Sequence, residues 1–462
     1  MSRLSFFSDI FASVFTRSEP VGDVLDGGSF ADLCDGLLSG GGEMSGLRFA
    51  RTLLARFESA DEAERLAFFE LLAERFDVDA EHIERAARRY GEEPSAANLG
   101  VLMDGVEPRR QELLRMLNQV PGATVRLVRM RESLLRHAAE HPALERIDLD
   151  FRHLFRSWFN RGFLALREID WNTPANVLEK IIAYEAVHAI GSWAELRTRL
   201  EPADRRCFAF FHPAMPDEPL IFVEVALTRS LPDSVRAVIG PDREPLALEE
   251  VDTAVFYSIS NCQGGLAGVS FGNFLIKQVA AELSRELPQL HVFRTLSPVP
   301  GFMSWVRSTL AEKASDGEDE GAPAASTETR ASATTASEAD DLELAVSIAE
   351  AAEAPTLDES ERTRLARLLA SYLVHGKRAD GRPLDPVARF HLGNGASLDD
   401  VLPDADPFRR ARSRSAGAMV SYLYDLNRVE SNHERFASES EVITSGRLPE
   451  LLAPPRRTRR RA

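Results

Sequence analysis

The first third of the chain has the hydrophobic pattern of α-helices. Apolar residues recur at steps of three and four throughout residues 47–155, and Leu66, Phe69, Ala73 and Phe76 form one such stripe. Packing several stripes together in a helical bundle is the simplest way to bury them. No cluster of polar residues converges in this region. We therefore predict a helical domain over residues 1–152 whose role is packing or subunit association.

Strand patterns take over near Trp158. Five runs are rich in aromatic and β-branched residues or alternate between apolar and polar positions. They are Phe163–Trp171, Cys207–His212, Leu220–Leu227, Ala254–Ser260 and His291–Leu296. Met215–Pro219 is typical of a hairpin turn, and Thr173-Pro174 of the start of a helix. We therefore predict a mixed α/β domain with a largely antiparallel sheet over residues 153–462, which makes the whole chain α+β.

Three segments lack the composition of packed structure. Residues 311–354 are rich in Ala, Ser, Thr, Glu and Asp and nearly free of aromatics, which predicts a disordered acidic insertion. Residues 454–462 form a basic run typical of a solvated tail, with an anionic partner as the minority interpretation. Residues 1–17 are mildly amphipathic and are interpreted as a frayed or docking segment, with a transit peptide as the alternative.

Composition narrows the class of protein. The 462 residues carry 55 Lys and Arg against 72 Asp and Glu, a formal net charge of −17, and 44% of them are hydrophobic. Such a chain is globular, and its acidity argues against nucleic acid as a partner. No apolar run approaches the roughly 18 to 20 residues of a membrane span. Cys34, Cys207 and Cys262 fit no metal-ligand spacing, which favours a reducing cytoplasm and no structural metal.

The segment from Ala254 to Leu287 has the pattern of a ligand-binding turn. A strand is followed by Gly264, Gly265, Gly268 and Gly272, and then by a helix. Glycines let backbone N–H groups approach a phosphate closely, and a helix N-terminus adds partial positive charge. The turn is neither a Walker A loop nor a dinucleotide fingerprint. It resembles the pyrophosphate loop of the GCN5-related N-acetyltransferase fold, which binds coenzyme A; a turn without a ligand is the alternative.

Two further residues stand at positions suited to chemistry. Ser297 follows a predicted strand and precedes Pro298 and Pro300, which can hold its hydroxyl toward the ligand crevice of the sheet. A serine that merely starts a loop is the more frequent explanation of such a pattern. His391 is expected at a strand-to-turn junction, where an imidazole can face a cleft, although a solitary histidine is usually structural.

Six blocks, in order along the chain, resemble the malonyl-CoA decarboxylase family. They are YEAVHAI (Tyr184–Ile190), HPAMPDEPLIFVEVALT (His212–Thr228), QGGLAGVSFGNFLIK, TLSPVPGF, PVARFHLGNGA and AGAMVSYLYDL. The likeness covers most of the chain, and six ordered matches by chance are very improbable. It implies a helical N-terminal domain before a catalytic domain of acetyltransferase-like fold. It also implies conversion of malonyl-CoA to acetyl-CoA and carbon dioxide, with no metal or organic cofactor.

The resemblance assigns roles to particular residues. The family's catalytic serine and histidine correspond to Ser297 and His391, and an active-site tyrosine corresponds to Tyr424. The family's acyl-CoA loop falls on Ala267, Gly268, Val269, Ser270, Phe271, Gly272 and Asn273. Animal members carry a glutamate where this chain has Ser270, so the acid–base role of that carboxylate is not carried over.

Malonyl-CoA is thus the expected substrate, and the resemblance implies self-association through the helical domain. Neither nucleic acid nor a membrane is an expected partner, and the cytoplasm is the expected location.

Two alternatives remain: a CoA-dependent acyltransferase and a non-catalytic acyl-CoA-sensing protein. The acyltransferase needs a base, for which Glu224 is the candidate, although an outward-facing strand carboxylate is more often solvated. Methylmalonyl-CoA or a malonyl-carrier protein also remains open as substrate, because one methyl group gives only about 1–3 kcal/mol of discrimination.

Overall fold

The computed structural model describes residues 28–39, 42–241, 243–269, 275–316 and 336–453, which form two compact units. The first unit contains the described residues up to Ala165, Phe210–Ile221 and the described part of Asn261–Gly272. The second contains Leu166–Ala209, the described part of Phe222–Ser260 and the described residues from 275 onward. The predicted N-terminal segment, residues 317–335 of the predicted insertion and the basic tail lie outside the described residues.

The first unit is built from helices, as the apolar stripes predict. Helix α3 (Glu62–Arg75) begins after Asp61, whose side chain accepts a backbone N–H of the first turn. Of the predicted stripe, Phe69 and Phe76 are fully buried, whereas Leu66 and Ala73 are only partly buried. The helices are α1 (Phe30–Leu38), α2 (Glu43–Ser59), α3 (Glu62–Arg75), α4 (Ala80–Glu92), α5 (Ala96–Val106), α6 (Arg109–Leu117), α7 (Ala123–Ala138) and α8 (Glu145–Trp158).

An eight-stranded sheet, most of whose residues belong to the second unit, confirms the α+β prediction. Its strands are β1 (Ala165–Glu168), β2 (Arg205–His212), β3 (Met215–Thr228), β4 (Thr253–Asn261), β5 (Val292–Thr295), β6 (Ser297–Pro298), β7 (Ser397–Leu402) and β8 (Met419–Leu423). The strand order is β1-β2-β3-β4-β5-β8-β6, and β7 also pairs with β8. Strands β4 and β5 are parallel, and β8 is antiparallel to β5, β6 and β7.

Helices connect and flank the strands in the second unit. They are α9 (Ala175–Tyr184), α10 (Trp193–Leu200), α11 (Val235–Ile239), α12 (Leu275–Glu286), α13 (Phe302–Asp316), α14 (Ala336–Glu350), α15 (Glu359–His375), α16 (Pro386–Gly393), α17 (Arg409–Ser415), α18 (Val429–Glu439) and α19 (Leu448–Leu452). Among all helices of the described ranges, none is both long and apolar enough to cross a bilayer.

Two local predictions were wrong. Met215–Pro219 is not a hairpin turn but the first part of β3, and the chain turns at Pro213 and Ala214 instead. Parts of the predicted insertion are also ordered, because α13 extends to Asp316 and α14 occupies Ala336–Glu350. Alanine-rich sequence has high helix propensity. In α14 the spacing of Leu342, Ala345 and Ile348 gives a stripe that is buried.

Candidate active site

Ser297 lies in the short strand β6, and its side chain is buried. Strand β6 pairs antiparallel with β8, where Ser297 lies opposite Val420. The Ser297 hydroxyl donates a hydrogen bond to Thr295 Oγ1 over 2.9 Å, and its Oγ lies 3.1 Å from His391 Nε2. Thr295 Oγ1 also accepts the backbone N–H of Tyr422 over 3.1 Å. The serine hydroxyl is therefore held between two strands and the imidazole.

His391 lies in the last turn of helix α16, so the prediction of a strand-to-turn junction was wrong. The sequence Asp385-Pro386 explains the helix, because Asp is a favoured N-cap and Pro a favoured first residue. Asp385 Oδ1 accepts the N–H groups of Val387 and Ala388 over 2.9 Å each. Its other oxygen, Oδ2, accepts the N–H of Gly301 over 3.1 Å. One buried carboxyl group thus connects the helix that carries His391 to the loop that follows Ser297.

Two tyrosines of the β8 region complete the surroundings of the imidazole. The Tyr424 hydroxyl lies 2.8 Å from His391 Nδ1. The Tyr422 ring stacks on the imidazole with 4.4 Å between ring centroids. The Tyr422 hydroxyl is buried and has no hydrogen-bond partner among the described residues. Both ring nitrogens of His391 are therefore engaged by hydroxyl groups, and one face of the ring is covered.

Burial sets the protonation of these groups. It lowers the pKa of His391 to about 3, because a charged imidazole would lose its hydration without a carboxylate to replace it. The same desolvation raises the pKa of Tyr424 well above its usual value. At neutral pH the site thus contains a neutral imidazole between two protonated hydroxyl groups. Such a line of polar groups can donate hydrogen bonds and relay a proton without creating a net charge.

The structure brings together Ser297, His391 and Tyr424, which sequence reasoning singled out, and adds Thr295, Tyr422 and Asp385, which it missed. Signals for these three exist in the sequence. Side chains two residues apart on a strand share a face, which pairs Thr295 with Ser297. Tyr422 lies two residues before Tyr424, so the same rule places these two side chains on one face. Asp385 stands in the N-cap position before a proline, a recognised start of a helix.

The glycine-rich turn belongs to the first unit, and only its first part is described. Ala267 and Gly268 are exposed and Val269 is buried, whereas Ser270, Phe271, Gly272 and Asn273 lie outside the described residues. Gly268 has a φ of +72°, a conformation that favours glycine. A Cβ atom on Gly268 would lie 4.0 Å from Nε of Arg152, and this Nε atom is buried without a hydrogen-bond partner in the described part of the chain.

Close packing holds the start of this turn against helix α7. A Cβ atom on Gly265 would lie 1.8 Å from the carbonyl oxygen of Val128, so any side chain there would clash. The guanidinium of Arg131 donates to the Gly265 carbonyl over 2.6 Å and pairs with Asp148 over 2.8 Å. Sequence reasoning explained the glycines by ligand approach, but at Gly265 the structure shows a packing requirement.

Glu224 is buried in β3, so the prediction of a solvated carboxylate was wrong. Residues 220–227 of this strand are buried without alternation, which means that both faces of the sheet are covered here. Glu224 Oε2 accepts from Arg199 over 2.9 Å, and Oε1 has no hydrogen-bond partner among the described residues. Burial raises the pKa of Glu224 to about 7, although the charge of Arg199 opposes this shift.

Family models match both parts of the chain. The model described as the malonyl-CoA decarboxylase C-terminal domain matches residues 162–462. The model described as the N-terminal domain of the same family matches residues 76–159. Together they extend over most of the sequence.

Individual relatives are similar over most of their own length. The mitochondrial malonyl-CoA decarboxylase of Mus musculus is 32% identical over 412 residues, which are 85% of this chain and 83% of that protein. Among solved structures, malonyl-CoA decarboxylase from Rhodopseudomonas palustris is 46% identical with a TM-score of 0.80 and covers 91% of this chain and 98% of its own. The malonyl-CoA decarboxylase from Agrobacterium vitis is 45% identical with a TM-score of 0.80. The match covers 92% of this chain and 100% of that chain.

Proposed function

This chain belongs to the malonyl-CoA decarboxylase family, and on that premise we propose that Ser297, His391 and Tyr424 act on its substrate. Its activity is the decarboxylation of malonyl-CoA to acetyl-CoA and carbon dioxide. One observation carries the proposal for the site. A continuous line of hydrogen bonds runs from Thr295 Oγ1 through the Ser297 hydroxyl and the His391 imidazole to the Tyr424 hydroxyl.

The chemistry explains why such a line of groups is useful. When the bond between the α-carbon and the carboxylate breaks, its electron pair passes to the thioester as an enolate, and carbon dioxide leaves. The transition state therefore develops negative charge on an oxygen atom that is neutral in the substrate. Prepositioned donors stabilise such a charge, and removing one typically costs about 10²–10³ in rate. In a site without water, these donors act at low dielectric and need no reorganisation.

The hydrogen bonds suggest a proton arrangement. Because Ser297 O–H donates to Thr295, Ser297 Oγ is free to accept from His391 Nε2–H. The neutral imidazole then has its acceptor at Nδ1, which the Tyr424 hydroxyl satisfies. This assignment follows from satisfying every donor and acceptor at once. In it, His391 begins the reaction as a donor and not as a base.

We assign Ser297 and His391 complementary roles on this basis. With malonyl-CoA bound, the Ser297 hydroxyl turns from Thr295 to donate to the departing carboxylate. It holds the breaking bond perpendicular to the thioester plane, so that this bond overlaps the carbonyl π system. After carbon dioxide leaves, the α-carbon takes a proton from the Ser297 hydroxyl, and Nε2–H of His391 replaces it on the serine. The Tyr424 hydroxyl passes its proton to Nδ1 at the same time, so the imidazole stays neutral and the Tyr424 oxygen carries the negative charge. Solvent restores the proton once acetyl-CoA has departed.

The substrate's diphosphate is proposed to bind the acyl-CoA loop, Ala267–Asn273. Two observations on the described part of this loop support the assignment. Gly268 has a left-handed conformation, and Nε of Arg152 lies beside it without a hydrogen-bond partner among the described residues. Both features suit an approaching anion. The family resemblance alone supports the part that comprises Ser270, Phe271, Gly272 and Asn273.

Self-association through the helical domain, residues 1–152, and a cytoplasmic location are also proposals. Helix α5 supports self-association. It exposes the apolar side chains of Val101, Met103 and Val106, and no residue of this helix is buried. The three cysteines support a cytoplasmic location, because each is buried as a free thiol.

The direct experiment is to incubate the purified chain with malonyl-CoA labelled in its free carboxyl group and to follow labelled carbon dioxide. We expect release by the unaltered chain, and a loss of at least about tenfold in kcat for Ser297→Ala and for His391→Asn, since general acid–base groups contribute about 10²–10⁴. Ser308→Ala and His375→Asn are matched controls at exposed positions and should retain full activity. Full activity of Ser297→Ala or His391→Asn would contradict the proposed roles.

A further inference from the structure

A cavity lies beside the segment that carries Ser297. It has a volume of about 360 Å³ and lies entirely within the second unit. Residues 186–189, Ile239, residues 298–300 and helix α17 supply most of its wall. Most of the lining is apolar, and the volume falls within the range of small-molecule sites. The reaction assigned to Ser297 and His391 leaves this cavity without a role.

The groups that the Ser297 hydroxyl contacts do not line the cavity. Ser297 Oγ lies within hydrogen-bond distance of Thr295 and His391, whereas the cavity wall is formed by the residues that follow, Pro298, Val299 and Pro300. Pro298 lies opposite Met419, which belongs to a buried cluster with Leu296 and Tyr257. The cavity and the Ser297–His391 pair are therefore lined by different side chains.

Two arginines at the cavity have no partner in the part of the chain that the structure describes. Arg410 and Arg414 lie one turn apart on α17, both line the cavity, and both are exposed. Neither side chain makes a hydrogen bond or ion pair within the described residues, unlike Arg412 of the same helix, which donates to backbone carbonyl groups. Asp406 is the acidic residue of the lining. One Asp406 oxygen accepts the Phe408 N–H, and burial raises the pKa of Asp406, so the lining carries an excess of positive charge.

His188 also lines the cavity, and its side chain is 6% exposed. Burial and the nearby Arg199 lower the pKa of His188 to about 4, so the ring is neutral at pH 7. The positive charge of the lining therefore belongs to Arg410 and Arg414.

We propose that this cavity binds a small amphipathic anion: its carboxylate or phosphate pairs with Arg410 and Arg414, and its apolar stem fills the cavity. Arginine forks suit either anion because two N–H groups can contact two oxygens. An apolar stem suits the aliphatic and proline side chains of the wall.

A ligand bound in this cavity also affects the decarboxylation. This part of the proposal depends on the proposed roles of Ser297 and His391. Residues 298–300 form part of the cavity wall and connect Ser297 directly to Gly301, whose N–H is held by Asp385 at the start of the His391 helix. A ligand that contacts this segment favours one position of Ser297. The site is therefore suited to regulate decarboxylation through the segment that follows Ser297.

Calorimetric titration of the full chain tests the site without relying on catalysis. The probes are octanoate, octyl phosphate and octan-1-ol. We expect the acid and the phosphate to bind, and octan-1-ol to bind at least about tenfold more weakly than octanoate. Equal affinity for octan-1-ol and octanoate would overturn the anion site.

Variants locate the binding. Arg410→Gln combined with Arg414→Gln should weaken binding of octanoate by at least about tenfold. Arg409→Gln, an exposed arginine on the same helix that does not line the cavity, should leave the affinity unchanged. Binding should persist with saturating coenzyme A present. Unchanged affinity in the double variant, or displacement by coenzyme A, would overturn the proposal, and neither result bears on Ser297 or His391.

Discussion

At the scale of single residues, the site depends on keeping an imidazole neutral. His391 has hydroxyl groups at both ring nitrogens and the Tyr422 ring on one face, and no carboxylate among the described residues stabilises its charged form. This differs from a serine hydrolase, in which an acid orients the histidine and stabilises the imidazolium that forms. A neutral donor between hydroxyl groups suits a reaction that needs hydrogen bonds to an enolate and no attack by serine.

The first prediction concerns pH. Because the pKa of His391 is about 3, kcat/KM should show no inflection from this residue between about pH 5 and 8. The unfolded imidazole titrates near 6.5, so between these two values the unfolded chain binds more protons than the folded chain. The free energy of unfolding should therefore fall as pH falls from about 6.5 toward 3.

Urea unfolding at a series of pH values measures this effect. His391→Asn removes the titrating group, so its free energy of unfolding should depend less steeply on pH in that window than that of the unaltered chain. His188, with a pKa of about 4, contributes in the same direction in both proteins and does not affect the comparison. Equal slopes would show that His391 titrates normally in the folded state.

At the scale of elements, three segments build the site, and the sequence predicts them unevenly. The alternating sequence pattern predicts strand β5, and the resemblance to the malonyl-CoA decarboxylase family identifies Ser297 and His391. The element that carries His391 was misjudged, because FHLGNG also fits a strand before a turn and the helix depends on the cap at Asp385. The bond from Asp385 to Gly301 spans 84 residues and leaves no periodic signal in the sequence. Such contacts follow from tertiary packing.

The second prediction concerns the glycine-rich turn. Gly268→Asp should weaken binding of both malonyl-CoA and acetyl-CoA, because the added carboxylate would repel the diphosphate and pair with Arg152 instead. Gly268→Asn is the matched control, since Asn has nearly the same shape, tolerates a positive φ and adds no charge. Calorimetry with each thioester should show a larger loss for Asp than for Asn. Equal affinities for Asp, Asn and the unaltered chain would refute the loop assignment.

At the scale of the whole molecule, the family match covers both the helical region and the sheet region of a chain with a net charge of −17. The fold class was predictable because helical and strand periodicities occupy different parts of the sequence. The division into two compact units was not predictable from the sequence. Phe210–Ile221 and part of Asn261–Gly272 pack with the helices, although they lie among strand-forming segments of the chain. Met215, Leu220 and Leu266 are buried in the same apolar cluster as the helices, which accounts for this division.

The third prediction concerns assembly. If helix α5 mediates self-association, light scattering should give a mass that is a multiple of the 51.2 kDa chain. Met103→Glu should lower that mass, because a charge would be buried at the contact. Met44→Glu is the control, since Met44 is exposed elsewhere in the helical region. A mass of one chain for the unaltered protein, or equal masses for all three proteins, would contradict this role of α5.

The central claim is that Ser297 and His391 work as one unit on malonyl-CoA, and a double-mutant cycle on kcat tests it most directly. Release of labelled carbon dioxide would be compared for Ser297→Ala, His391→Asn and the double variant. If the serine and the imidazole share one hydrogen-bonded path, removing either disables it, and the double variant should be no more than slightly slower than the worse single variant. Losses that multiply in the double variant would show that the two residues act independently and would contradict the account.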